Sequence, residues 1–168
     1  DGHGLRVDPA PLKSFWTGLS HVVRNAIDHG IETPEARRAA QKTPSGRLSL
    51  VARSTPGKLM IEIQDDGAGI AWDRVAEKAK QARLPHEHHT ELVDALFADG
   101  LSTREAATET SGRGVGMAAV RAIVQELGGT IEVESSPGAG TTFRFTFSAE
   151  RIAFGNEHEE PEPVRAAS

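Results

Sequence analysis

His21, Arg24, Asn25, Asp28 and His29 recur at i, i+3, i+4, i+7 and i+8 in "HVVRNAIDHG", a spacing that makes one face of an α-helix. The opposite face carries Phe15, Trp16, Leu19, Val22, Val23, Ala26 and Ile27. A face of hydrogen-bonding and cationic groups therefore lies opposite a face of core. Three glycine-bearing segments add to it. In "DDGAGI", residues 65–70, Gly67 and Gly69 let the backbone approach a planar ligand while Asp66 accepts a hydrogen bond from it; a plain strand-ending turn has the same composition. In "GRGVGM", residues 112–117, three glycines free backbone N–H groups at the positive end of the following helix, as in an anion site or a flexible cap. No Lys-Ser or Lys-Thr follows and no strand precedes, which disfavours a Walker or Rossmann site. "PGAGTT", residues 137–142, reads by itself as a turn between strands. In this order the four segments ask for a nucleotide, with adenine at one end and a metal-bound triphosphate at the other.

The elements that must position them are legible from period and punctuation. Asp8-Pro9 opens a helix ending at Gly30, with Asp as N-cap and Pro in the first turn. Thr33-Pro34 starts a short helix through about Gln41, read as a solvated surface piece. "RLSLVAR", "STPG" and "KLMIEIQD" form a hairpin, as do "TIEVESS", "PGAG" and "TTFRFTF". Helices cover Asp73 to about Arg83, "HTELVDALF" and "VGMAAVRAIVQEL", the last stopped by Gly128-Gly129. Residues 99–113 read as a mobile loop. The expected fold is α+β: a two-layer α/β sandwich, with helices on one face of a mixed, mostly antiparallel sheet.

The 168 residues suit one domain, expected over 1–150, with an acidic, Pro- and Glu-rich tail over 151–168 expected to be disordered. The net charge of −5 argues against nucleic acid or an anionic membrane as partner. Cysteine is absent, which excludes disulfides and thiolate metal sites and fits a cytoplasmic protein. No apolar run is long enough to span a bilayer. The first residue, Asp1, points to a piece of something longer. "PHEHH" invites a metal reading but has no second ligand cluster near it, so a solvated loop is preferred.

"HVVRNAIDHGIE", "DDGAGI", "GLST" and "SGRGVGM" resemble the ATP-binding domain of the GHKL superfamily (gyrase, heat-shock chaperone, histidine kinase, MutL), and within it the chemotaxis kinase CheA family. The resemblance covers about residues 12–148 and implies a Bergerat fold holding ATP and Mg²⁺. It implies that Asn25 coordinates Mg²⁺ and that His21 stands near the γ-phosphate, where the superfamily's ATPases carry a Glu base. Arg24, His29, Arg74 and Lys78 become phosphate donors, and Asp66 accepts from the adenine 6-amino group with support from Thr142. Gly67 and Gly69 allow close approach to the nucleotide. Gly112, Arg113, Gly114, Val115, Gly116 and Met117 wrap the phosphates, while Ser102 and Thr103 lie in a lid. Leu101 stands where the family usually has Phe, Ala118 where Asp is common, and Ala71 where an acidic residue is usual. The implied activity is a histidine kinase of two-component signalling. It passes the γ-phosphate to a histidine on a separate phosphotransfer domain, with a response regulator downstream and dimerisation and coupling domains elsewhere in the protein. A nucleotide-responsive scaffold or pseudokinase of the same fold is the alternative.

Overall fold

Alternating apolar residues and tight turns build two antiparallel hairpins. The first pairs β1 (Leu48–Thr55) with β2 (Lys58–Asp65), and the second pairs β3 (Thr130–Ser136) with β4 (Gly140–Ser148). Strands β2 and β4 lie side by side, also antiparallel, so the sheet order is β1-β2-β4-β3. The structure, a computed structural model, describes residues 9–98, 101 and 116–148. Every strand pairing among them is antiparallel, two hairpins joined along β2 and β4, so the α+β fold with a mostly antiparallel sheet expected from sequence is the one observed, antiparallel throughout these residues. The loop at 102–113 and the tail at 151–168 lie outside the described residues.

Period-2 alternation sends Leu59, Ile61, Ile63 and Asp65 of β2, with Thr141, Phe143, Phe145 and Phe147 of β4, to one face of the sheet, where all are buried. The other face is polar. There Arg144 bridges Glu62, Glu132 and Glu134 at 3.1–3.2 Å across three strands, which raises its pKa and holds its charge.

Helix α1 (Pro9–Asn25) lays Leu12, Phe15, Leu19 and Val22 on the buried face. Phe15 meets Phe145 and Phe147 edge-on, with centroids 5.2 and 4.9 Å apart, a favoured quadrupole arrangement. A single π-helical turn, Ala26–Gly30, follows and is closed by Ile31 N–H donating to the Ala26 carbonyl at 2.8 Å. Next come α2 (Pro34–Ala39), capped by the Thr33 hydroxyl, α3 (Trp72–Gln81), α4 (His89–Leu96) and α5 (Met117–Glu126). Val75, Ala79, Ala95 and Leu101 form a smaller cluster between α3 and α4. The short helix expected to be a solvated surface piece is exposed at every residue but one: Arg37, 1% exposed, turns inward onto the end of β2.

Helices α1 and α5 pack together at Gly18, where a Cβ would sit 3.3 Å from Ile123 Cδ1 and 3.6 Å from Val120 Cγ2. Phe15, early in α1, contacts Phe147, and Gly129, just past α5, lies beside Phe147 too. The end of α1 and the start of α5 therefore both point toward the opposite end of the sheet, where Gly30 lies beside the Asp65 carboxylate.

Because Phe15 is fully buried among aromatic partners, Phe15→Ala should lower unfolding stability by about 3–5 kcal/mol through lost burial and a residual cavity. Urea titration checks this; a change below about 1 kcal/mol would mean the site collapses.

Candidate functional site

Two carboxylates end β2, and consecutive side chains on a strand point to opposite faces. Asp65 continues the buried row of Ile61 and Ile63 and is 4% exposed. Its Oδ1 accepts from the Gly67 N–H at 2.9 Å, and the Thr141 N–H nearby also favours the charged carboxylate. Among the described residues no cation pairs with it. Burial pushes its carboxyl above the ordinary aspartate range, against those two backbone donors, with Asp66 and Glu32 adding repulsion. A buried carboxylate without a counter-charge is costly unless a further donor reaches it.

Asp66 faces the other way. Its Oδ2 takes Arg37 Nη2 at 2.9 Å and its Oδ1 takes the Arg47 N–H at 2.8 Å. Burial opposes its ionisation, but these two donors outweigh that and hold its pKa below the ordinary range. The structure therefore contradicts the placement of Asp66 as a ligand-facing acceptor, because both of its oxygens are engaged on the side of α2. Thr142 is corrected for a different reason, the sheet face on which it lies. It stands opposite Gln64 and Glu134 on the polar face, whereas its neighbour Thr141, 6% exposed, faces Asp65.

The turn after Asp65 is fastened on three sides. Ala68 N–H donates to the Gly30 carbonyl at 2.7 Å, and Gly138 N–H donates to the Ala68 carbonyl at 2.8 Å. Ile70 N–H donates to Ser135 Oγ at 2.8 Å; Ser135 Oγ in turn lies 3.0 Å from the Gly140 carbonyl and 3.1 Å from Thr141 Oγ1. A Cβ on Gly67 would overlap the Gly30 carbonyl, and one on Gly69, at φ +78°, would overlap the Ser136 carbonyl. The close approach that these glycines allow is therefore to the protein's own backbone.

On α1, His21 and Asn25 are half-buried and Arg24 is exposed. Among the described residues none of the three side chains makes a hydrogen bond. His21 and Asn25 lie one and two turns beyond Gly18, the point at which α1 meets α5. Gly116 caps α5 and Met117 begins it, where unpaired backbone N–H groups favour an anion. The π-helical turn takes in Asp28 and His29, both exposed. Its wider winding interrupts the α-helical stripe that the sequence period draws through them, and such turns recur at functional sites. Arg74 and Lys78 stand one turn apart on α3, the first exposed and the second half-buried. Ser102, Thr103, Gly112, Arg113, Gly114 and Val115 lie outside the described residues.

One amide oxygen at Asn25 suits magnesium, a hard cation that keeps water and phosphate oxygens as its other ligands. Among the described residues no group of three or more His, Cys, Asp or Glu could hold a metal by itself. The histidines of "PHEHH" serve locally: His86 Nδ1 lies 2.9 Å from the Leu84 carbonyl and His89 packs edge-on against Trp72. No helix among the described residues is long and apolar enough to cross a membrane.

Sequence reasoning missed Asp65, Thr141, Arg37, Lys42 and Ser135. The first two had a signal, since counting by twos from Ile61 and from Phe147 reaches 65 and 141. Arg37 had none, because its burial depends on a partner 29 residues away.

A family profile described as "Histidine kinase-, DNA gyrase B-, and HSP90-like ATPase" matches residues 16–151. The chain is 41% identical over 150 residues to a chemotaxis protein CheA of Rhizobium meliloti, covering 85% of this chain and 19% of the relative. It is 42% identical over 146 residues to that of Salmonella typhimurium, covering 85% and 22%. For Halobacterium salinarum CheA the identity is 38% over 152 residues, covering 87% and 23%. The chain thus spans about a fifth of the length of these curated relatives. A histidine kinase domain from the Erythrobacter litoralis EL346 blue-light activated histidine kinase has the same fold. It aligns with a TM-score of 0.50 and 19% identity, over 84% of this chain and 46% of that one.

The ion pairs around Asp66 make stability depend on pH. Hydrogen bonding to Lys42 lowers the Glu32 pKa against the cost of burial, so its contribution is present above the unfolded value and lost as pH falls through the folded one. Glu32→Gln should cost about 1–2 kcal/mol at neutral pH, a deficit that closes below about pH 4. Urea unfolding of both proteins across that range checks it; a deficit independent of pH would contradict the assignment.

Proposed function

Because the chain belongs to the histidine kinase-, DNA gyrase B- and HSP90-like ATPase family, we propose that it binds Mg-ATP between Asp65 and the start of α5 and donates the γ-phosphate to a histidine on a separate domain. The observation that carries this reading is Asp65, a buried carboxylate that accepts from the Gly67 N–H with no cation against it among the described residues. It lies at the sheet end where α1 finishes and α5 begins. The adenine 6-amino group is a neutral donor of the kind such a carboxylate requires. Thr141, adjoining it, supplies a hydroxyl on the same face, so Asp65 and Thr141 take over the roles first expected of Asp66 and Thr142.

The rest of the nucleotide extends toward α1 and α5. The N–H groups at the head of α5, with the preceding glycines Gly112, Gly114 and Gly116, would take phosphate oxygens. Arg24, His29, Arg74 and Lys78 are proposed to add positive charge around them. Magnesium, when bound, neutralises phosphate charge, and the Asn25 amide oxygen would hold it. The acceptor imidazole nitrogen attacks the γ-phosphorus in line; a nitrogen–phosphorus bond forms, the bond to the β,γ-bridging oxygen breaks, and ADP leaves. Such a transfer depends on positioning and charge more than on a strong base. His21, in place of a carboxylate base, is proposed to orient the γ-phosphate without activating water, which keeps hydrolysis slow. The phosphoacceptor domain, the response regulator beyond it and a chemotaxis-type pathway are proposals drawn from the CheA relatives.

Calorimetric titration with Mg-ATP should show Asp65→Asn weakening binding by about 1.5–3 kcal/mol, the value of a hydrogen bond to a charged group. Asp66→Asn should stay within about threefold of the parent, under 1 kcal/mol; an equal or larger loss there would return the contact to Asp66. With labelled Mg-ATP and candidate phosphotransfer domains, the unaltered chain should label a partner histidine and Asn25→Asp should not. Tight binding without transfer to any acceptor would favour the scaffold reading.

A further inference from the structure

Helix α2 is six residues long and buries one side chain, and that side chain is a guanidinium. Burying Arg37 is unfavourable unless its donors are used. Nε donates to the Thr43 carbonyl at 2.7 Å, Nη1 to Glu32 Oε2 at 3.0 Å and to the Asp66 carbonyl at 3.2 Å, and Nη2 to Asp66 Oδ2 at 2.9 Å. Lys42 Nζ makes three contacts, at 2.7 Å to Glu32 Oε1, 3.0 Å to the Asp66 carbonyl and 2.8 Å to the Gly67 carbonyl. A connector between α1 and β1 needs none of this. The two cations grip the backbone of Asp66 and Gly67, the residues immediately after the carboxylate that faces the proposed adenine pocket.

We propose that residues 32–47 form a strap that positions the nucleotide turn, with Arg37 and Lys42 as positioning residues that set how the Asp65 carboxylate is presented. The inference rests on the Mg-ATP reading and deepens it. Fixing the Asp66 and Gly67 carbonyls fixes the peptide planes on either side of Gly67, including the N–H that donates to Asp65 Oδ1 at 2.9 Å. The Asp66 charge is consumed by Arg37, so one carboxylate of the pair faces the ligand. Position then becomes specificity. Adenine offers a 6-amino donor to that carboxylate, whereas guanine offers a carbonyl oxygen, which a rigidly held carboxylate repels and a loose one can turn away from.

The test compares dissociation constants for Mg-ATP and Mg-GTP in the unaltered chain, Arg37→Met, Arg37→Lys and Lys42→Met, with circular dichroism to confirm folding. In Arg37→Met the preference for ATP over GTP should fall by about tenfold, the equivalent of one well-placed hydrogen bond. Arg37→Lys should fall between parent and Arg37→Met, and Lys42→Met should lose about threefold. Simple destabilisation lowers the competent fraction for both nucleotides alike and leaves their ratio untouched. An unchanged ratio in folded Arg37→Lys and Lys42→Met overturns the proposal, and these two variants decide it should Arg37→Met fail to fold. Absence of Mg-ATP binding by the unaltered chain would overturn the nucleotide reading itself, and this inference with it.

Discussion

The burial of Asp65 beside an already neutralised Asp66 is the constraint on which the site depends. A strand end must place two successive carboxylates on opposite sides, and each side here supplies a different solution. On one side Arg37, Lys42 and Glu32 alternate charges around Asp66, so that every buried formal charge there has an opposite neighbour. On the other, backbone N–H groups stabilise Asp65 only in part, and burial keeps its carboxyl above the ordinary range. A fully paired carboxylate is inert scaffold. An incompletely paired one is a place where a donor from outside the protein gains binding energy, because the desolvation cost was met when the chain folded.

The scaffold keeps that arrangement rigid by bringing backbone against backbone. Gly67 meets the π-helical turn and Gly69 meets the β3–β4 hairpin, with a hydrogen bond on each side of the turn. The helix that carries Asn25 and the strand end that carries Asp65 are thus joined through Gly30 and Ala68, not through flexible side chains. A ligand spanning from one to the other would meet a site whose two halves keep a fixed separation. Helix α5 packs on α1 at Gly18, with its positive end directed toward the same end of the sheet.

Much of this was legible in the sequence. Both hairpins, the approximate boundaries of α3, α4 and α5 and most of the buried face of α1 follow from period and turn chemistry; Trp16, 40% exposed, and Ile27, 54% exposed, are the two residues of the expected core face that the fold leaves at the surface. The proposed site differs from the expected one by a single residue on each strand, and strand geometry explains why that matters: moving by one position crosses the sheet. Asp66 and Thr142 sit beside the glycines that drew attention, whereas Asp65 and Thr141 belong to the buried rows of Ile63 and Phe143. The strap was not legible. Arg37 lies in a stretch whose composition is that of a solvated helix, and only the long-range pair with Asp66 turns it inward.

Carbon-detected NMR of the two aspartate carboxyls, titrated with pH and then with Mg-ATP, tests the division of labour between Asp65 and Asp66 most directly. The Asp65 carboxyl should titrate above the ordinary aspartate range and Asp66 below it, and nucleotide should shift the Asp65 resonance while leaving Asp66 in place. A ligand-induced shift confined to Asp66, or an Asp65 that titrates as an ordinary exposed carboxyl, would contradict the account.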